Sequence, residues 1–215
     1  MHIPDGFLSP QTYLPAYAVA AVAWWVTGRG LRARLDDTLV PRLAALTALV
    51  YAIGLVMLPL PGGTSVHAVG VALLALCFGA RLAFLGYSLV LLLQSLLFGA
   101  GGITALPVNA LAIGGAGALV TLAVFRALRG WNETAAVLLA TWCAVMASAT
   151  LVGLVLGLQP WLAHRADGTP LYFPFGLPVV LPAVLAPHAL LGVGEAVLTL
   201  LVWRMVRMRR WEWSA

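Results

Sequence analysis

The chain has 215 residues, of which 62% are hydrophobic and only 9% are charged. Because an ordinary soluble domain carries about 25% charged residues, this composition predicts a membrane protein without a second, soluble domain. The net charge of +5 comes from twelve arginines and no lysine, and no G-x-x-x-x-G-K-S/T phosphate-binding loop occurs. These features exclude an ATPase, a kinase or a nucleic-acid-binding module within the chain, so energy for its work must come from a gradient or a partner.

Seven apolar runs follow one another along the chain, and most are close to the roughly 20 residues that cross a bilayer as a helix. They predict an all-α, polytopic membrane protein with about seven transmembrane helices. The predicted spans are residues 11–28, 42–60, 65–80, 83–100, 107–126, 134–158 and 177–205. Only Gly79, Ala80 and Arg81 separate the third span from the fourth. Pro178 and Pro182 predict a kink in the last span or an irregular segment before it.

The arginines indicate the orientation of these spans. With seven spans, eleven arginines fall on one side of the membrane and Arg165 alone falls on the other. The eleven are Arg29, Arg32, Arg34, Arg42, Arg81, Arg126, Arg129, Arg204, Arg207, Arg209 and Arg210. Because arginine accumulates on the cytoplasmic side, the N-terminus is expected outside and the C-terminus in the cytoplasm.

We expect a single transmembrane substrate-binding domain over residues 1–215, with an N-terminal metal-chelating segment at 1–10 and an arginine-rich cytoplasmic tail at 204–215. The first ten residues lack the basic start of a signal peptide, so the mature chain is expected to begin at Met1. Cys77 and Cys143 lie inside apolar runs without C-x-x-C spacing, and we interpret both as small core residues.

The position of His2 suggests metal chemistry. When histidine is the second residue of a free chain, the α-amine of Met1 and the backbone and imidazole nitrogens of His2 can close two fused chelate rings on one ion. A fourth nitrogen from His67, which is predicted on the same outer face, would complete a planar site that suits Ni(II) or Cu(II) better than Zn(II). The sequence equally allows His2 as a solvated terminal residue and His67 as a packed helix-start residue.

A second pair of ionisable residues lies within the last predicted span. His188 and Glu195 are seven residues apart, which is about two helical turns, so both side chains lie roughly on one face of the helix. Ionisable residues inside a membrane helix either form a buried hydrogen-bonded pair or mark an ion pathway. The sequence leaves both interpretations open.

Four motifs carry a resemblance to a known family. They are MHIPDGFLSP at the start, GGTSVH at 62–67, GGIT at 101–104 followed by Asn109, and HALLGVGEA at 188–196. Together they resemble the cobalt/nickel transport permease (CbiM/NikM-type) family, the membrane substrate-binding component of energy-coupling factor (ECF) transporters. The resemblance extends from the first residue to about residue 205.

The resemblance implies a set of ligands. Carried over by motif, the metal is bound by the amine of Met1, by the backbone nitrogen and imidazole of His2, and by His67. Asp5 and Ser65 are implied as groups that orient the two imidazoles, as metal-ligating histidines require. Asn109, His188 and Glu195 also match family motifs. For His188 and Glu195 we expect a role in helix packing or along the release path, while the apolar surroundings of Asn109 depart from the family pattern.

The resemblance also implies partners and a setting. The chain would capture Ni2+ or Co2+ at the outer face of a bacterial or archaeal cytoplasmic membrane, in connection with cobalamin biosynthesis. A transmembrane coupling protein and cytoplasmic ATPase subunits would drive release, in some systems with a small accessory membrane subunit. On this interpretation the chain is not an enzyme, holds no permanent cofactor, contacts the lipid bilayer and binds no nucleic acid.

Other function classes stay open on the residues alone. His67 and His188 could hold a haem in a membrane redox protein, although their predicted depths in the bilayer differ. Transport driven by a proton or cation gradient is also compatible with the composition. An intramembrane metalloprotease is disfavoured, because no H-E-x-x-H motif occurs.

Overall fold

The computed structural model describes residues 2–31, 35–60 and 64–209 of the chain. The helices are α1 (Pro10–Gly28), α2 (Leu39–Gly54), α3 (Val71–Phe98), α4 (Leu106–Asn109), α5 (Ala118–Leu128), α6 (Glu133–Gly157), α7 (Gln159–Leu162) and α8 (Leu177–Met208). A π-helical segment, Ala110–Gly117, joins α4 to α5, so that residues 106–128 form one continuous helical element. Two short antiparallel strands, β1 (Leu58–Leu60) and β2 (Thr64–Val66), lie between α2 and α3.

The long helices have the length and composition of membrane spans. In the described part of the chain, four helical stretches are long and apolar enough to cross a bilayer: Val71–Phe98, Leu106–Leu128, Glu133–Leu162 and Leu177–Met208. Helix α2 is a shorter apolar helix. The prediction of an all-α, multi-pass membrane protein is confirmed, with the six-residue β-ribbon as the one exception among the described residues.

The ribbon corrects two predicted spans. The span predicted at 42–60 is helical only to Gly54, and the span predicted at 65–80 begins with strand β2 and becomes helical at Val71. Pro59, Pro61 and the Gly62-Gly63 pair explain the difference, because proline removes a helical hydrogen bond and glycine favours a turn. An apolar run of this length is compatible with a strand as well as with a helix.

Helix α3 is broken at Gly79, where φ is +79° and ψ is 166°. Only glycine readily adopts this backbone conformation. A Cβ atom added at Gly86 would lie 3.7 Å from Cδ1 of Leu74, although twelve residues of a straight helix span about 18 Å. The chain therefore folds back sharply at Gly79, where the sequence predicts the boundary between two spans. The part before the break, Val71–Phe78, is only about 12 Å long and is too short to cross a bilayer by itself.

Arg81 connects α3 to the end of α1. The guanidinium of Arg81, next to the fold-back, donates hydrogen bonds to the carbonyl oxygens of Val26, Thr27 and Arg29 at the end of α1. These carbonyls have no partner within the helix, so Arg81 fixes the fold-back to α1.

The end of α8 packs against the start of α6. Arg204 donates to the hydroxyl of Thr134, and Arg207 forms an ion pair with Glu133. Residues 210–215 of the predicted tail lie outside the described part of the chain.

Helices α6 and α8 pack closely because α6 presents glycines to its neighbour. A Cβ atom on Gly157 would come within 2.9 Å of the Cα atom of Leu177, and one on Gly153 within 3.1 Å of Leu181. Small residues four apart allow this approach of two backbones. Helix α8 follows the irregular segment 163–176 and contains Pro182 and Pro187.

The fold-back at Gly79 generates a stability prediction. Replacing Gly79 by Ala should lower stability by about 1–3 kcal/mol, because the backbone there is strained for any residue with a Cβ atom. Gly194→Ala is the matched control: neither position has an atom within 4 Å of the added Cβ, but Gly194 has no positive φ. The control should be neutral or stabilising by about 0.4–1 kcal/mol. Thermal unfolding in detergent measures both, and equal melting temperatures would contradict the prediction.

Candidate metal centre

The N-terminal segment is inserted among the helices rather than frayed at the surface. Ile3 and Leu8 are 0% and 1% exposed. The side-chain amide of the buried Asn109 accepts a hydrogen bond from the backbone nitrogen of Ile3 and donates one to its carbonyl oxygen, both at 3.0 Å. Asn109 therefore satisfies both polar backbone groups of Ile3, which could not otherwise be buried without a large cost.

Asp5 holds the same segment to the loop before α4. Its carboxylate accepts hydrogen bonds from the backbone nitrogens of Ile103 (3.1 Å) and Thr104 (2.8 Å) and from the hydroxyl of Thr104. Partial burial alone would raise the pKa of Asp5, but these hydrogen bonds outweigh it and lower that pKa. A Cβ atom at Gly102 would lie 2.3 Å from the backbone nitrogen of Asp5, so the close approach requires glycine there.

His2 lies at the start of this segment, and its two ring nitrogens differ in their contacts. Its Nε2 is 3.2 Å from the hydroxyl of the buried Tyr87, while its Nδ1 is buried and makes no hydrogen bond to any described residue. In the tautomer whose Nε2–H donates to Tyr87, Nδ1 keeps its lone pair. Burial, followed by the nearby His67, lowers the pKa of His2 well below its usual value, so the ring stays neutral.

His67 faces His2. The two ring centroids are 4.5 Å apart, with the ring planes inclined by 57°. The Nδ1 of His67 donates to the carbonyl oxygen of Ala68 at 3.0 Å, which leaves the lone pair on Nε2. Burial is the largest cause of a lowering of the pKa of His67 to about 4. Two neutral imidazoles therefore stand side by side, which is the form in which histidine binds metals.

Glu195 positions the backbone that follows His67. Its carboxylate oxygens accept hydrogen bonds from the backbone nitrogens of Val69 (2.8 Å) and Gly70 (2.7 Å). Gly70 has φ +76°, and a Cβ atom there would approach Val50 to 2.7 Å, so the turn into α3 requires glycine. Glu195 thus ties α8 to the loop that carries His67.

His188 is not paired with Glu195, so the hydrogen-bonded pair that the spacing allowed is not formed. Its Nδ1 donates to the carbonyl oxygen of Val184 at 2.7 Å, and its buried Nε2 has no hydrogen-bond partner within the described part of the chain. His188 is 4% exposed and lies close enough to His67 to interact with it electrostatically.

The described side chains alone do not complete a metal site. No group of three His, Cys, Asp or Glu residues within residues 2–31, 35–60 and 64–209 is arranged to hold an ion. His2 and His67 supply two imidazole nitrogens, so further donors would have to come from the backbone or the chain terminus. Met1 lies outside the described residues, and so does the side chain of Ser65, although the backbone of Ser65 belongs to β2.

Sequence reasoning missed one residue of this centre and underestimated another. Tyr87 lies in an apolar run and has no signal that distinguishes it from an ordinary core aromatic. Asn109 matches a family motif with surroundings that depart from the family pattern, and its hydrogen bonds to Ile3 join residues 106 apart. The alternative in which His67 and His188 hold a haem receives no support from this geometry, because the ring of His67 is in contact with that of His2.

Known proteins resemble this chain over nearly its whole length. The probable fused nickel transport protein LarMN of Lactiplantibacillus plantarum is 40% identical over 96% of the chain, which spans 64% of LarMN. The fused nickel transport protein NikMN of Rhodobacter capsulatus is 35% identical over 93% of the chain, which spans 59% of NikMN. The chain therefore spans less than two thirds of the length of these two relatives.

A solved structure is also similar to this chain. The crystal structure of a truncated transition metal transporter is 36% identical and superposes with a TM-score of 0.91, covering 97% of this chain and 99% of that one. The family model for the cobalt uptake substrate-specific transmembrane region matches residues 2–213. The chain therefore belongs to the CbiM family, the substrate-specific transmembrane region of cobalt uptake.

Proposed function

We propose that this chain captures Ni2+ or Co2+ as the membrane-embedded substrate-binding component of an ATP-driven ECF importer. The observation that carries the proposal is the buried, unpaired Nδ1 atom of His2 beside the ring of His67. A buried nitrogen without a hydrogen bond costs free energy, so it calls for a ligand that supplies the missing partner. The membership in a cobalt uptake family supports a metal ion as that ligand.

The proposed site is a planar set of four nitrogens. The Nδ1 atom of His2 can form a six-membered chelate ring with the backbone nitrogen of the same residue, and the α-amine of Met1 can close a five-membered ring beside it. Nε2 of His67 is the fourth donor. Such a planar nitrogen set suits Ni(II), and Co(II) also accepts nitrogen, whereas Zn(II) prefers a tetrahedron and Ca2+ and Mg2+ prefer oxygen.

The surrounding polar residues orient these donors. We propose that Asn109 and Asp5 hold the N-terminal segment, that Tyr87 sets the tautomer of His2, and that Glu195 fixes the backbone after His67. Their hydrogen bonds in the described structure support these roles. Ligating histidines generally need such partners on the second ring nitrogen or on the adjoining backbone. Ser65, adjacent to the loop that carries His67, is proposed to assist in the same way.

For the membrane arrangement we propose seven crossings, with the N-terminus outside and the C-terminus in the cytoplasm. The fold-back at Gly79 supports a reversal of chain direction between the third and fourth predicted spans, although Val71–Phe78 alone is too short to be a full crossing. The contact of Arg81 with the end of α1 supports a common, arginine-rich side, which the positive-inside bias assigns to the cytoplasm. The metal centre would then lie toward the outer face.

The proposed energy source is a separate assembly. A closed four-nitrogen site binds its ion tightly, so release requires another component to favour a different conformation. A transmembrane coupling protein with cytoplasmic ATPase subunits would supply this work, and a small accessory membrane subunit would complete the importer. The two fused relatives extend beyond the matched region, which supports a further component in such systems. The proposed setting is a bacterial or archaeal cytoplasmic membrane, supplying cobalt or nickel to biosynthesis such as that of cobalamin.

The first test blocks the chain terminus. A chain with several residues before Met1, removable by a site-specific protease that regenerates Met1, should bind Ni2+ at least about a hundredfold more weakly before cleavage than after it, because two of four donors are displaced. A single inserted residue is unsuitable, because a third-position histidine can form a new chelate through two backbone nitrogens. Calorimetry with Ni2+, Co2+ and Zn2+ measures the affinities.

The cleaved and uncleaved forms share every other residue, so each preparation is its own control. Equal affinity before and after cleavage would exclude Met1 and the backbone of His2 as ligands. In the cleaved protein, tighter binding of Zn2+ than of Ni2+ and Co2+ would contradict a planar site.

The second test removes the anchor of His2. Tyr87→Phe should weaken Ni2+ binding by about 10- to 100-fold, because the His2 ring loses the partner that fixes its tautomer and orientation. Tyr51→Phe is the control, since no hydrogen bond of the Tyr51 hydroxyl occurs among the described residues. Calorimetry and thermal unfolding are measured on both variants. An unchanged affinity in Tyr87→Phe would remove Tyr87 from the site.

The third test uses pH. Binding should release about two protons below pH 8, one from the α-amine and one from the backbone nitrogen of His2, and none from the imidazoles, whose pKa values are lowered by burial. The logarithm of the Ni2+ affinity should therefore fall by about two per pH unit from pH 7 to pH 5. If the imidazoles titrated near 6.5, the slope would steepen toward about four in this range, which calorimetry in several buffers would detect.

A further inference from the structure

Two adjoining cavities lie at the arginine-rich end of the bundle, away from the metal centre. The first has a volume of about 490 Å³ and lies against the fold-back at Gly79. The second, of about 620 Å³, runs along the surface between α1, α3 and the continuous helical element of residues 106–128. Ala80, Arg81 and Leu119 line both cavities, so the two form one groove.

The two parts of this groove differ in chemistry. Arg81 and Arg126 line the first part, and no carboxylate occurs among the described residues that line either part. Arg81 donates its hydrogen bonds to neutral backbone carbonyls, so those contacts leave its positive charge uncompensated. This end of the groove therefore favours an anion.

The second part is apolar apart from Arg81 and the half-buried Thr27, and it is shaped by small residues. Gly115 and Ala116 in the π-helical segment and Ala23 on α1 are among the residues that line it, and the exposed side chains of Val26 and Leu119 also border it. Such a lining suits a hydrocarbon chain. A free inorganic anion would leave this part empty.

The groove is long enough to cross one leaflet of a membrane. From Arg126 to Leu111 the helical element rises roughly 20 Å, at about 1.5 Å per residue. One half of the hydrocarbon core of a bilayer is about 15 Å thick. A molecule with its anionic group at Arg126 would therefore reach with its chain close to the midplane.

We propose that this groove is a binding site for an anionic phospholipid, with the phosphate between Arg81 and Arg126 and an acyl chain along Gly115 and Ala116. Basic pockets between membrane helices on the cytoplasmic side commonly bind anionic headgroups. The site is independent of the proposed metal chelate, because none of the residues that line it belongs to the metal centre.

Native mass spectrometry of the purified protein tests the proposal, with phosphatidylglycerol and phosphatidylcholine of identical acyl chains as probes. The protein should retain one phosphatidylglycerol in preference to phosphatidylcholine. Arg126→Gln should lower the affinity for phosphatidylglycerol about fivefold and leave that for phosphatidylcholine unchanged. Arg129 lies one turn after Arg126 and does not line the groove. Arg129→Gln removes the same charge and should therefore have little effect on phosphatidylglycerol binding.

A second pair of variants tests the acyl-chain part. Ala116→Leu fills the groove and should weaken the binding of phosphatidylglycerol, whereas Ala127→Leu, on the same element but outside the groove, should not. We expect all four variants, the two of arginine and the two of alanine, to bind Ni2+ as the unchanged protein does. A failure of the lipid proposal is therefore distinguishable from a failure of the proposed metal site.

Three results would overturn the proposal. Equal retention of the two lipids, or equal effects of Arg126→Gln and Arg129→Gln, would indicate non-specific lipid contact. Unchanged phosphatidylglycerol affinity in Ala116→Leu, together with loss of association with the coupling protein, would assign the groove to a protein helix instead.

Discussion

The pairing of Asn109 with the backbone of Ile3 is the interaction on which the candidate metal centre depends. An extended backbone inside an apolar helix bundle has no water to bind, so each of its polar groups needs a protein partner. Asn109 provides the donor and the acceptor that a neighbouring strand would otherwise supply. With this pair formed, Ile3 can be fully buried, and His2 is carried to the ring of His67.

A common rule orients His2, His67 and His188. Each has one ring nitrogen anchored to an oxygen, namely the Tyr87 hydroxyl for His2 and backbone carbonyl oxygens for His67 and His188. Anchoring one nitrogen as a donor fixes the tautomer and leaves a lone pair on the other. For His67 the arrangement extends to the backbone, since Glu195 holds the two residues that follow Ala68. Proteins that bind metals through imidazole require this arrangement, and a histidine that only packs does not.

The sequence predicts the helices well where an apolar run is long and bounded by polar residues. The spans predicted at 107–126 and 134–158 match helices at 106–128 and 133–157 within two residues at each end. The prediction of a helical span at 65–80 was wrong, because the glycines in this run and the prolines before it favour a β-ribbon followed by a short helix. Chain position singled out His2, and a turn motif singled out His67. The role of Tyr87 depends on a contact between residues 85 apart, for which a single sequence carries no signal.

On the proposed function, a site built on a non-helical terminal segment would reconcile tight binding with release. Residues 2–9 form no helix, and the side-chain hydrogen bonds from Asn109, Asp5 and Gln159 that hold them each contribute only about 1 kcal/mol net, with more for the charged Asp5. Displacing this segment would break these few hydrogen bonds and expose Ile3 and Leu8, whereas unfolding a membrane-spanning helix would break its whole ladder of backbone hydrogen bonds. On the proposed function, the same displacement would remove the donors contributed by Met1 and His2 together. A partner that moves one short segment could thus release the ion while the helix bundle stays intact.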